Sequence, residues 1–109
     1  MSRAKGNIAE DKACDFLYEQ GYEIIERNFY SRFGEIDVIV SKDNVLHFVE
    51  VKSGADYEKA IQNITPSKLS KLLKTCDVYM KKNGYDGDYM LDALVVTPEA
   101  IEHLENITI

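Results

Sequence analysis

Two apolar, β-branched runs separated by a two-residue turn fix more of this chain than any other stretch. Residues 34–40 (Gly-Glu-Ile-Asp-Val-Ile-Val) and 45–52 (Val-Leu-His-Phe-Val-Glu-Val-Lys) both read as strands. Between them, Asp43-Asn44 is a hairpin turn. Counting outward from that turn sets Asp37 directly opposite Glu50. Opposed residues of an antiparallel pair share a face, with Cβ atoms ~4.5–5.5 Å apart. Lys52, two residues beyond Glu50, joins that face. Two like charges so close do not stabilise a chain, so the hairpin is expected to hold something positive.

The rest of the sequence sets the frame for this hairpin. At 109 residues the chain suits a single domain, 1–109, with a real core. No apolar run approaches the ~20 residues that span a bilayer. The opening Met1-Ser2-Arg3-Ala4-Lys5-Gly6 lacks the apolar segment of a signal peptide, so a cytoplasmic protein with no membrane partner is expected. Cys14 and Cys76 are isolated, without metal-ligand spacing, and read as reduced, buried and small. A net charge of −6 and a pI near 4.8 weigh against non-specific nucleic-acid binding. They do not exclude a nuclease whose acids bind metal, and Lys68, Lys71, Lys74, Lys81 and Lys82 gather in one segment.

Ala9, Ala13, Phe16 and Leu17 recur at helical spacing over 6–20, and Gly21 is the expected stop. Glu10 borders that buried stripe and is the helix acid best placed to look inward. Residues 22–30 suggest a first strand, and 56–63 a short helix. Thr65-Pro66 pairs an N-cap with a first-turn proline and opens a helix to Lys82. Its apolar face is Leu69, Leu72, Leu73, Cys76, Tyr79 and Met80. Residues 90–97, apolar on both faces, read as a buried strand running parallel to the third. The tail, 98–109, is expected to add a turn of helix and a short edge strand. The sum is an α/β fold, a mixed central sheet flanked by helices.

Phosphodiester hydrolysis needs an activated water, an electrophilic phosphorus and charge relief on the leaving oxygen, all of which a divalent cation can supply. Mg²⁺ prefers carboxylate, carbonyl and water oxygens. Asp37, Glu50 and the Val51 backbone carbonyl offer such a set, and Glu10 can reach in from the helix. Lys52 can hold the attacking water or stabilise charge on phosphorus.

Gly34-Glu35-Ile36-Asp37 followed by Phe48-Val49-Glu50-Val51-Lys52 resembles the YraN-like uncharacterised protein family, which is similar to archaeal Holliday-junction resolvases of the PD-(D/E)XK nuclease superfamily. The likeness extends to Gly6, Ala9-Glu10, Gly21-Tyr22, Arg27-Asn28, Arg32-Phe33-Gly34, Lys68 and Asp92, covering roughly residues 6–97. The resemblance implies an αβββαβ restriction-endonuclease-like core with Glu10, Asp37, Glu50 and Lys52 as the catalytic set. Three positions depart from the pattern. Ile36 stands where the superfamily has proline, Ser53-Gly54 follows Lys52 where many relatives carry an arginine, and Ala9 replaces a glycine.

Other polar residues have plainer readings. Glu35 is expected to be an exposed partner of Lys52. His47 alternates onto the face opposite Glu50, and His103 reads as surface. Asp92, entering a buried strand, needs a hydrogen-bonded partner. Asp86 and Asp88 lack the spacing of a calcium loop. Tyr18, Tyr22 and Tyr79 are expected at the core rim. Arg32 and Lys68 are the candidate nucleic-acid contacts, whereas Lys71 and Lys74 read as a solvated helix face. The expectation is a Mg²⁺- or Mn²⁺-dependent endonuclease acting on DNA phosphodiesters, branched or damaged DNA among them. The alternative is a catalytically silent nuclease-fold module that binds nucleic acid or a basic protein partner. A resolvase would require a homodimer, and the sequence offers no clear dimer surface.

Overall fold

The computed structural model describes residues 5–108, with side chains from Ile8 onward, so the reading of the opening residues lies largely outside the described part. The elements are α1 (Lys5–Glu19), β1 (Glu23–Ser31), β2 (Gly34–Lys42), β3 (Val45–Ser53), α2 (Tyr57–Ile61), α3 (Pro66–Lys82), β4 (Tyr89–Val96) and β5 (Ile101–Leu104). The strands form one sheet in the order β1-β2-β3-β4-β5. Every neighbouring pair is antiparallel except β3 and β4, which run parallel across the α2–α3 crossover. Among the described residues no helix is long and apolar enough to cross a membrane.

Local chemistry accounts for the joints. Asp43 (φ 53°) and Asn44 (φ 64°) both take the left-handed conformation that a two-residue hairpin turn of type I′ requires. The β2–β3 register follows, with Lys42 opposite Val45 and Val38 opposite Val49. At the end of α1, Gly21 (φ 93°) lets the Gly21 and Tyr22 amides donate back to the Tyr18 and Leu17 carbonyls at 3.0 Å each. Those paired bonds are a Schellman stop. Thr65 Oγ1 accepts from the Lys68 amide at 3.3 Å and caps α3, with Pro66 at its first turn.

The sheet is covered on both faces. Ala9, Ala13 and Leu17 of α1 pack on Val38, Val40, Val49, Leu94 and Val96. Leu72, Cys76 and Tyr79 of α3 pack on Ile36, Ile39, Phe48 and Leu91. Strict alternation would group Ile36 with Val38 and Val40, but it lies in the same cluster as Ile39. The alternation of β2 therefore slips by one around Asp37. Opposite that point, Asn28 holds a positive φ of 56°, and the β1–β2 register shifts between Ile24 and Glu26.

Three local expectations need correction. The tail forms its edge strand but no helical turn: Thr97 and Ala100 bond to each other and close a tight β4–β5 connection. Tyr18 is 73% exposed rather than at the core rim, because α1 presents it on the side away from the sheet. Cys76 is buried and Cys14 only half-buried, and both are free thiols.

Candidate active site

The β2–β3 ladder runs regularly from the turn as far as Val38↔Val49 and then opens. Beyond it the Val51 amide donates to Asp37 Oδ2 at 2.8 Å instead of to the β2 backbone. In a strand the N–H and C=O of one residue point to the same side, so the Val51 carbonyl faces the same gap. Asp37 is buried, and its carboxyl is hydrogen-bonded to that of Glu50. Burial, that hydrogen bond and the Glu50 charge together push Asp37 up to about 8, against the opposing pull of the Val51 amide and Lys52. Lys52 Nζ stands 3.6 Å from Glu50 Oε2.

The third acid arrives from α1. Glu10 has only 13% of its side chain exposed. Burial raises its carboxyl first, then the charges of Asp37 and Glu35, while Arg27 lowers it. Arg27 Nη2 lies 3.7 Å from Glu10 Oε1, but its shorter bond, 2.8 Å, goes to Asp11. With its amide nitrogen turned inward, Asn28 donates to Glu10 Oε1 at 3.0 Å and to Glu35 Oε2 at 3.1 Å. Asparagine tolerates the left-handed backbone found there, so one residue both twists β1 and ties two acids together.

These groups line a cleft of about 360 Å³ between α1 and the start of α3. Glu10, Asp37, Glu50, Val51 and Lys52 come together in it as the sequence suggested. Phe33, Lys68 and Lys71 line it too. Lys71, read from sequence as solvated, is exposed and yet lines the cleft, because it sits one turn after Lys68 on α3. Arg32 is exposed, its guanidinium 4.8 Å from the centre of the Phe33 ring, and Lys74 reaches the same ring at 5.5 Å. Glu35 is not the partner of Lys52: it is held by Asn28 and by the Tyr30 hydroxyl, while Lys52 pairs with Glu50. Sequence reasoning missed Phe33 as part of this cleft and Asn28 as the residue that ties Glu10 to Glu35. The only signal was their membership in the Arg27-Asn28 and Arg32-Phe33-Gly34 pairs.

The donor set suits a hard divalent cation: carboxylates and a carbonyl, confined together. A second polar cluster lies elsewhere. His47 Nδ1 and His103 Nε2 both bond to Asp92 Oδ2, at 2.6 and 2.8 Å, and the Asn106 amide donates to Asp92 Oδ1 at 2.9 Å. Asp92 thereby has the partners its burial demands. Burial alone would push it up, but the bonds from His103, His47 and Asn106 hold it at about 2. His103 is correspondingly not a surface residue; its side chain is 12% exposed.

Three acids and a lysine gather where the ladder opens in a mixed sheet flanked by helices, an α/β architecture compatible with a nuclease-like core. The chain belongs to the Uncharacterised protein family UPF0102, whose pattern matches residues 9–96. It is 69% identical over 109 residues to a UPF0102 protein of Sulfurimonas denitrificans, covering 100% of both chains. It is 54% identical over 108 residues to one of Helicobacter hepaticus, covering 99% of this chain and 97% of that one. A third UPF0102 protein, from Aliarcobacter butzleri, is 50% identical over 109 residues, 99% of each chain. The YraN-like resemblance carried by the hairpin motif is borne out as family membership.

Proposed function

We propose that the protein is a Mg²⁺- or Mn²⁺-dependent endonuclease that hydrolyses DNA phosphodiester bonds. The observation that carries the reading is the meeting of Asp37 and Glu50 where the ladder opens, with the Val51 amide on Asp37 and Lys52 alongside. A protein keeps such a pair only against a cost, and catalytic sites are where that cost is commonly met.

Asp37, Glu50 and the Val51 carbonyl would hold the cation, with Glu10 as a further ligand from α1. Bound there, it supplies positive charge to the phosphoryl oxygens and lowers the cost of ionising a water. The chain's own residues do the rest. The Val51 amide fixes the Asp37 carboxylate, and Asn28 fixes Glu10. Lys52 presents an ammonium to the attacking water or to charge growing on phosphorus. Lys68 and Lys71, which line the cleft, would meet phosphates near the reacting one, with exposed Arg32 as a further contact.

Branched or damaged DNA is the substrate class that the resemblance to junction resolvases suggests, and paired cuts on two strands would require a homodimer. Free thiols at Cys14 and Cys76 suit a cytoplasmic setting.

Calorimetry with Mn²⁺ tests the centre. Wild type is expected to bind, and Asp37→Asn and Glu50→Gln to lose binding; undiminished affinity in both variants removes the site. Cleavage of linear, nicked, flap and four-way DNA in Mn²⁺ tests the activity. Ser53-Gly54, in place of an arginine after Lys52, favours a second reading as a non-cleaving DNA-binding module. Binding without cleavage of any of these substrates supports that alternative.

A further inference from the structure

His47 on β3, Asp92 on β4 and His103 on β5 converge from three adjacent strands. One potential ligand atom from each lies within 4.8 Å of the other two. Both imidazole contacts fall on the same carboxylate oxygen, Oδ2, so Asp92 bridges the two rings. The cluster is shielded: His47 is 6% exposed, Asp92 0% and His103 12%. The Tyr22 ring stands edge-on to His47 at 5.2 Å and tilted against His103 at 5.7 Å, fixing both imidazole planes. The small exposure of His103, on the edge strand, is the way in. His47 lies three residues, about 10 Å of strand, from Glu50, so this cluster is separate from the acid cleft.

We infer that His47, Asp92 and His103 form a second metal site, selective for a borderline transition ion such as Zn²⁺ or Co²⁺. Two imidazole nitrogens and one carboxylate oxygen suit such an ion, whereas Mg²⁺ favours oxygens alone. Metal–ligand bonds of about 2.0–2.2 Å in a tetrahedral site separate ligand atoms by roughly 3.4 Å. The present 2.6 and 2.8 Å contacts must therefore open by about half an ångström to an ångström. Because β5 is a four-residue edge strand, it can yield that much. Each ring would present to the ion the nitrogen that now contacts Asp92, any proton there passing to the other ring nitrogen or to solvent. Glu105, whose Oε1 accepts from the Tyr22 hydroxyl at 3.4 Å, brings a second negative charge to the rim. Water or Glu105 completes the coordination. The bound ion would clip β5 and the 105–108 tail onto the sheet.

The test uses the full chain carrying Asp37→Asn and Glu50→Gln, which disables the acid cleft. Co²⁺ and Zn²⁺ are the probes. One equivalent of Co²⁺ is expected, with the intense visible bands of a tetrahedral site, and Zn²⁺ should displace it and raise Tm. His47→Asn and His103→Gln retain an N–H donor to Asp92 but not the imidazole ligand. Either change should weaken Zn²⁺ binding by on the order of 100-fold. Circular dichroism without metal shows whether each variant still folds, and a folded variant that loses metal supports the site. No Co²⁺ spectrum in the parent, or affinity unchanged in folded His47→Asn and His103→Gln, overturns it and leaves a hydrogen-bonded clasp alone.

Discussion

The Asp37 carboxyl is hydrogen-bonded to Glu50 while its Oδ2 takes the Val51 amide at 2.8 Å, bridging a gap in the β2–β3 ladder. That arrangement links the acids' charge to fold stability, to metal binding and to any activity in the cleft.

Asp37 titrates near 8 when folded, against about 3.9 in an unfolded chain. Between those values the folded protein keeps a proton that the unfolded chain has released. Stability of the metal-free protein should thus be highest below about pH 4 as far as this group is concerned, fall as pH rises, and level off above about 8. In Asp37→Asn the amide keeps both a donor for Glu50 and an acceptor for the Val51 amide, without titrating. Urea unfolding across pH should show a shallower decline for the variant, which should exceed wild type above pH 8. Parallel curves for the two proteins would refute the assignment.

Lys52 has a different signature. Lys52→Gln removes charge beside Glu50 without removing a metal ligand. Mn²⁺ affinity, read by calorimetry, should hold or rise, while kcat for DNA cleavage should fall on the order of 10²–10³-fold. Loss of metal binding in this variant would argue for a purely structural ion pair.

Asn28 is expected to be sensitive in two ways. Asn28→Ala forces a Cβ residue without an amide into a positive-φ position and frees Glu10 and Glu35 from their shared donor. A loss of about 1–3 kcal/mol in denaturant unfolding is expected. Asn28→Gly keeps the backbone and should recover part of that loss, but not the tethering of Glu10.

Lys68 and Lys71 should act on DNA as point charges. Replacing both by alanine is expected to weaken binding uniformly across sequences and lower the salt slope of affinity by about 2. Fluorescence anisotropy against salt concentration measures this; an unchanged slope would move the DNA path elsewhere.

Much of this was legible because local signals agreed. The Asp43-Asn44 turn set the hairpin register, Thr65-Pro66 set the start of α3, and the doubly apolar β4 required a crossover. The acids met because that turn register brings their strands side by side, although the ladder itself ends at Val38↔Val49. What escaped was set by packing across the sheet. Nothing local tells that Asn28 takes a left-handed backbone within β1, or that Ile36 breaks the alternation beside Asp37. His103 looked superficial because its partner, Asp92, lies on another strand and only the β4–β5 pairing brings them together.

The hairpin turn lies well along both strands from Asp37 and Glu50. One residue inserted between Asp43 and Asn44 would leave every functional side chain in the sequence and still separate Asp37 from Glu50. Loop-length tolerance, usual at exposed tips, should therefore fail at this one, and a deletion scan would detect the cleft from a distance.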